Sequence, residues 1–184
     1  MSGQSSVSLD TSVFDRVIDG GDTAARVHLA KQLATFVADP GNVPEEKEIV
    51  VPPMLRLAVD PVADVRRELA QGLKGLADLN ADVLFTIVAD DDAIALPFLA
   101  ECAALDPWRL LAILQVGDIS RQLVIVARAD LAPEAVSYVA TRSSLVVVAA
   151  MLDNQGCHIP GSDYRRLYVR FRDEPEIVER LLKR

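Results

Sequence analysis

LAVDPVADVRRELA, at residues 57–70, and IVADDDAIALPFLA, at residues 87–100, are two copies of one pattern. The copies align without a gap at an offset of 30 residues, with identities at Asp60/Asp90, Ala63/Ala93, Leu69/Leu99 and Ala70/Ala100. Self-similarity at such a period is typical of solenoids built from stacked helix pairs. An ordinary helical bundle with a chance match is the alternative, since four identities are few.

The shared pattern predicts the end of one helix, a turn marked by aspartate, and the start of a second helix. We expect Asp60 to be the N-cap, because its carboxylate can accept free N–H groups of the following turn. Pro61 would then take the first helical position, where its missing N–H costs nothing. Arg66 lies at the edge of the apolar stripe, where its stem can pack and its charged head can still reach water. A pair of such helices stacks on a neighbour to bury its apolar face.

Similar helical signals run through the rest of the chain. An arginine-led motif recurs at an offset of 40, as Arg26, Leu29, Ala30, Leu33 and then Arg66, Leu69, Ala70, Leu73. Pro52 and Pro53 predict a kink or break near Val51, because proline removes a helical hydrogen bond. Further N-caps are expected at Asn80, Asp106, Asp118 and Ser143. The sequence therefore predicts an all-α fold of about five helix pairs, at residues 12–38, 45–77, 81–105, 107–128 and 133–152.

The composition is that of a globular chain. Its 184 residues are 51% hydrophobic and 25% charged, which is enough for one domain with a sizeable core. We expect residues 1–11 to form a flexible tail and residues 12–184 a single helical-repeat domain. The chain ends on Leu182, Lys183 and Arg184 without a polar taper, which suggests a domain cut from a longer protein.

The net charge of −8 opposes binding to nucleic acid or to an anionic membrane surface, since both need a cationic face. The longest apolar run, residues 145–152, is too short to span a bilayer. The polar start MSGQSSVSLD has no apolar signal core. Two cysteines are too few for a disulfide framework. We therefore expect a soluble, cytoplasmic protein.

Two short clusters offer metal or thiol chemistry, and a structural role explains each better. Asp90-Asp91-Asp92 lacks the alternating ligands and the glycine of a calcium loop, so helix capping is favoured. Cys157 and His158 lack the second close ligand pair of a structural zinc site. The chain has no Gly-rich phosphate loop and no nucleophile elbow. We expect no catalytic residue, no metal, no cofactor and no enzymatic activity.

The C-terminal region is the strongest functional signal, because its charge differs in sign from the rest. Residues 164–184 contain seven Lys/Arg and four Asp/Glu, whereas the other 163 residues contain 12 and 23. An apolar helical stripe is expected there at Tyr164, Leu167, Tyr168 and Phe171. The arginines off that stripe are the candidate partner-binding residues Arg165, Arg166, Arg170 and Arg172. They would dock an acidic partner, or the acidic part of a second copy. The alternative is the solvated outer face of a capping helix.

Four runs of the chain resemble the HEAT-like-repeat domain of unknown function found mainly in alphaproteobacteria. The runs are LRLAVDPVADVRRELA, IVADDDAIALPFLAE, QLVIVARADL and NQGCHI followed by Tyr164 and Leu167. The resemblance covers nearly the whole chain after about residue 12. It implies an α-solenoid and brings no catalytic residues. With the helix-pair count, we expect a right-handed α-solenoid of about five HEAT-like helix pairs.

The expected function is protein–protein interaction, as a scaffold or regulatory module with no chemical step. Stacked repeats produce an extended concave surface that suits this work. A HEAT-like enzyme or nucleic-acid-binding module is the alternative, and a strongly positive groove would favour it. A self-associating structural module is a third possibility. Reversing Arg165, Arg166 and Arg170 to Glu is expected to abolish a partner interaction without unfolding the domain.

Overall fold

The computed structural model describes residues 11–129 and 131–184. These residues form 13 α-helices and contain no β-strand, which confirms the expected all-α class. The tail expected at residues 1–11 lies outside the described part except for Thr11, which begins the first helix. No helix in the described ranges is long and apolar enough to cross a membrane.

The chain divides into two compact units between Phe98 and Leu99. The helices are α1 (Thr11–Gly20), α2 (Thr23–Ala38), α3 (Pro44–Ile49), α4 (Val51–Ala58), α5 (Ala63–Leu73), α6 (Ala81–Val88), α7 (Asp92–Glu101), α8 (Pro107–Val116), α9 (Ile119–Val126), α10 (Pro133–Arg142), α11 (Leu145–Asp153), α12 (Gly161–Phe171) and α13 (Pro175–Leu182).

In the first unit, the helices pack in two layers. Helix α4 packs on α1 and α6, and α2 packs on α5. Helices α1 with α2 and α4 with α5 connect the layers. The approach of α2 to α5 is close, because a Cβ atom on Gly72 would lie 2.5 Å from the Cβ atom of Ala34. Leu33, Leu69 and Leu73 are buried, as the repeated arginine-led motif requires.

In the second unit, the layered arrangement is more regular. Helices α8, α10 and α12 pack side by side, and α11 packs between α9 and α13. Each helix of one layer also packs on its successor in the chain, giving the pairs α8/α9, α10/α11 and α12/α13. Within each unit, this packing of successive helices is compatible with a solenoid.

Most of the local helix signals are confirmed. A break at Val50 separates α3 from α4, which carries Pro52 and Pro53 in its first turn. The side chains of Asn80, Asp106 and Asp118 each accept a hydrogen bond from a first-turn N–H group. These caps depend on residues within three positions of each other, so the sequence alone specifies them.

Two of the expected N-caps are wrong. Helix α5 begins at Ala63, and Asp60 instead accepts a turn hydrogen bond from the N–H of Val62 at 2.8 Å. Asp60 is also bound by Arg26, so its carboxylate serves a contact across the fold rather than a helix end. Ser143 ends α10, and Ser144 takes the N-cap position of α11. The Ser143 hydroxyl is buried and has no hydrogen-bond partner within residues 11–129 and 131–184.

Candidate interaction surfaces

Two arginine–aspartate pairs join helices of the first unit to its turns, from α2 to the α4–α5 turn and from α5 to the α6–α7 turn. Arg26 Nε donates to Asp60 Oδ2 at 2.7 Å, and Arg66 Nε donates to Asp90 Oδ2 at 2.8 Å. Each arginine also donates to a backbone carbonyl, that of Gly21 at 2.8 Å for Arg26 and that of Asp60 at 2.7 Å for Arg66. The hydrogen bond with Asp90 raises the pKa of Arg66. Residues that align in the sequence therefore make equivalent contacts, and Arg66, at the edge of its stripe, binds Asp90 with its charged head.

An open groove lies beside these pairs, between the α4–α5 and α6–α7 turns. Its volume is about 700 Å³. Its apolar lining includes Val59 and Phe85, whose exposed fractions are 67% and 40%. Arg66, Asp60 and Asp90 line the same groove. Asp60 and Asp90 are paired with Arg26 and Arg66, whereas Asp82, which also lines the groove, adds an exposed carboxylate.

The acidic run at residues 90–92 helps to hold the fold. The Asp90 carboxylate accepts from Arg66 and also from the Asp91 N–H at 2.7 Å. Asp91 lies 3.2 Å from an Arg66 nitrogen, and Asp92 begins α7. The described residues contain no group of three or more His, Cys, Asp or Glu side chains that could hold a metal ion.

The two cysteines are buried, and both are free thiols. Cys102 lies just after α7, and Cys157 lies in the loop before α12. Burial raises the pKa of both thiols. Since the thiolate is the nucleophile and the metal ligand, these positions favour inert packing over reactivity. His158, beside Cys157, is exposed.

Helix α12 has one buried side and one exposed side. Asp163, Leu167 and Phe171 are buried, and the helix packs on α10 and α13. The expected apolar stripe is wrong at Tyr168, which is 57% exposed. Asp163 takes a core position instead. It is 1% exposed, and its carboxylate accepts from Ser137 Oγ at 2.7 Å and from Arg166.

Two of the four candidate arginines hold α12 in place. Arg166 binds the buried Asp163. Arg170 donates to the carbonyl oxygens of Ala140 at 3.1 Å and Ser143 at 2.5 Å, at the carboxyl end of α10. A cation there is favourable, because carbonyl oxygens at a helix end have no intrahelical partner. Reversing either arginine would therefore disturb packing as well as any partner contact.

The other two candidate arginines are displayed to solvent. Arg165 makes no hydrogen bond or ion pair with any described residue, and Arg172 lies 3.5 Å from the exposed Asp173. An open depression of about 420 Å³ lies beside Arg165, and Arg172 is not part of its lining. We call its lining the α12 face, formed by Ser162, Arg165, Arg166, Val169 and Arg170. Val169 at its centre is 66% exposed.

The arginines of this surface were predictable from charge and spacing, whereas its apolar part was not predicted. Val169 is four residues after Arg165, on the same side of the helix. Its place off the expected Tyr164–Phe171 stripe was the available signal for an exposed apolar side chain. The burial of Asp163 had no local signal, because it depends on Ser137 in α10.

Residues 94–184 match the model of a family described as an uncharacterised protein conserved in bacteria (DUF2336). This range includes the whole second unit and with it the α12 face. The match confirms a resemblance to an uncharacterised bacterial family over the C-terminal part of the chain. No curated protein and no solved structure shows significant similarity to the chain.

Proposed function

We propose that this chain is a protein–protein interaction module that recognises its partner by surface contact and performs no chemical step. The observation that carries the proposal is the α12 face, where arginine side chains surround the exposed Val169. Val169 and the neighbouring Tyr168 are 66% and 57% exposed, and arginine and tyrosine are both enriched at protein–protein interfaces. The role would be that of a scaffold or a regulatory unit.

We further propose that the fold is a right-handed α-solenoid of HEAT-like helix pairs, as in the alphaproteobacterial domain that the sequence resembles. Support comes from the second unit, where alternate helices pack side by side and each also packs on its successor. The equivalent arginine–aspartate contacts in the first unit add to this support. Such folds expose broad surfaces on a rigid frame, which suits recognition of another protein.

The charge distribution favours a protein partner over nucleic acid. Residues 1–98 contain 8 basic and 16 acidic residues, a net charge of −8, whereas residues 99–184 contain 11 of each. The cations of the α12 face are therefore local to a unit that is neutral as a whole. Nucleic-acid binding needs many phosphate contacts along an extended cationic surface, and a patch on one helix of 11 residues provides few.

The test is affinity capture from lysate of the source cell, at low and at moderate salt, with identification by mass spectrometry. The baits are the full chain, its Arg165→Glu variant, and Lys31→Glu as a control with the same change of charge. Lys31 is exposed on α2 in the first unit. We expect a partner that the wild type and the control retain and that Arg165→Glu loses. Salt should weaken its recovery. Recovery of nothing above empty resin by the wild type would contradict the proposal.

A further inference from the structure

We infer that the α12 face binds an acidic amphipathic helix of a partner protein, in which carboxylates flank an apolar side chain. The inference rests on the proposed interaction function and names the chemistry of the partner. Three features of the face support the inference: the helical spacing of its lining residues, the positive charge of its arginines and the exposed Val169 at its centre.

The spacing of the lining residues is that of a helix-packing surface. Positions 162, 165, 166, 169 and 170 recur at i, i+3, i+4, i+7 and i+8 along α12. Side chains at these intervals form the ridges and grooves into which a second helix packs. The 11 residues of α12 span about 16 Å at 1.5 Å per residue. An occupant of about three helical turns would therefore cover the face.

The described residues neutralise the positive charge of the face only in part. Arg165 has no partner among the described residues, and the only carboxylate paired with Arg166 belongs to Asp163, which is 1% exposed. The hydrogen bonds that Arg170 makes go to carbonyl oxygens. A guanidinium has five donors and binds carboxylates in a two-bond geometry. The face can therefore bind carboxylates at its outer side while Arg166 and Arg170 keep their inner contacts.

The apolar centre of the face favours an acidic protein segment over a simple anion as the ligand. Val169 lies between Arg165 and Arg170 and is 66% exposed. Tyr168, at the edge of the face, is 57% exposed. A phosphate ion would use the arginines and leave Val169 uncovered, whereas an apolar side chain flanked by carboxylates would use both. Removing Val169 from water adds a favourable contribution that an ion does not provide.

The probe is a fluorescein-labelled, alanine-based peptide of about 16 residues, long enough for a partly formed helix. It carries one Leu, and Glu stands three and four residues away from that Leu on each side. The Leu and the Glu residues therefore lie on one face of the peptide helix. One comparison peptide has Leu replaced by Ala, and a second has every Glu replaced by Gln. Binding to the full chain is measured by fluorescence anisotropy at low salt.

Arg165→Glu should weaken binding of the acidic Leu peptide at least about tenfold, because a carboxylate would then face the peptide carboxylates. Val169→Ala should weaken it about threefold through the lost apolar contact. Lys31→Glu should change it less than about twofold, since Lys31 is outside the face. The Gln peptide should not bind, and the Ala peptide should bind more weakly than the Leu peptide. Far-ultraviolet circular dichroism of each variant checks that the helices are intact.

Equal binding of the peptide by the wild type and Arg165→Glu would overturn the inference. Equal binding of the Leu and Ala peptides would also overturn it, because recognition would then be purely ionic. Sedimentation showing that the chain alone associates, and that Arg165→Glu abolishes this, would assign the face to a second copy instead. If lysate capture recovers the same partner with wild type and Arg165→Glu, the inference fails and the proposed function stands. If the wild type captures nothing, both fail.

Discussion

The Asp60 carboxylate combines two contacts that lie far apart in the sequence. It accepts from the Val62 N–H in its own turn and from Arg26, 34 residues earlier. The Asp60 side chain is 4% exposed and that of Arg26 is 15% exposed. An ion pair this shielded from water is costly to break, because the remaining charge loses its partner without regaining full hydration.

Asp60→Asn should lower the free energy of unfolding by about 2 kcal/mol, in the range for hydrogen bonds to charged groups. The amide keeps an oxygen for the Val62 N–H, so the change removes the charge and not the turn. Urea unfolding at neutral pH measures the effect. Asp64→Asn is the control, because Asp64 is exposed and pairs with the exposed Arg67. The control should change stability by less than about 1 kcal/mol. Similar losses in both variants would be the contrary result.

The buried cysteines give a pH dependence of known sign. Burial raises the pKa of the Cys102 and Cys157 thiols in the folded state. Because the folded pKa is above the unfolded one, this contribution to stability is complete below about pH 8.5. It is lost as the pH rises toward the folded pKa values.

At pH 8, both thiols should therefore react with dithionitrobenzoate much more slowly in the native chain than in urea. Absorbance during the reaction measures both rates, and Cys157→Ala assigns the faster phase. Rapid reaction of one native thiol would show an accessible thiolate and would contradict the burial argument.

At the scale of elements, the close contact of α2 with α5 depends on the missing side chain of Gly72. A Cβ atom there would meet the Cβ of Ala34 at 2.5 Å, which is shorter than any ordinary contact. Glycine within a helix costs about 1 kcal/mol relative to alanine. The packing of two helices is therefore the physical reason for a residue that helix propensity disfavours.

Gly72→Ala should lower the free energy of unfolding by about 1–3 kcal/mol, because overpacking outweighs the gain in helix propensity. Gly161→Ala is the matched control, since nothing lies within 4 Å of a Cβ atom at that position in α12. The control should be neutral or slightly stabilising. Thermal unfolding of both variants measures the difference. Stabilisation by Gly72→Ala would show that α2 and α5 are not in close contact.

Helix ends show how much of the fold the sequence could predict. Asn80, Asp106 and Asp118 were predictable because each cap bonds with residues two or three positions away. Asp60 and Ser143 have the same local signals but are not N-caps. Asp60 is instead bound by Arg26, and Ser143 ends α10. Local chemistry predicts an element boundary where no distant residue competes for the same side chain.

The arginines of α12 show the same limit at the candidate site. All four were identified from charge and spacing. It was not predictable that two of them face solvent and two bind groups within the fold. That difference depends on the burial of Asp163 and on the position of α10. Charge and spacing therefore identified candidate residues, and tertiary contacts decide which substitution tests them without disturbing the fold.

At the scale of the whole molecule, the division near residue 98 agrees with the range of the family match. The second compact unit begins at Leu99, and the matched range begins at residue 94. Helices α8 to α13 pack on one another in successive pairs. A unit with its own buried core is expected to fold alone.

A fragment of residues 94–184 should therefore be helical and unfold cooperatively. Circular dichroism gives its helix content, and urea unfolding followed by two probes tests cooperativity through coincidence of the transitions. A fragment without a cooperative transition would show that the second unit depends on residues 1–93.

The central claim is that the α12 face contacts another protein. The most direct measurement places a photo-crosslinking amino acid at position 169 of the full chain inside the source cell, with position 31 as the control. We predict one discrete crosslinked product at position 169, containing a partner polypeptide with an acidic segment, which disappears when Arg165→Glu is added. The absence of any product at position 169, or the same products at positions 169 and 31, would contradict the account.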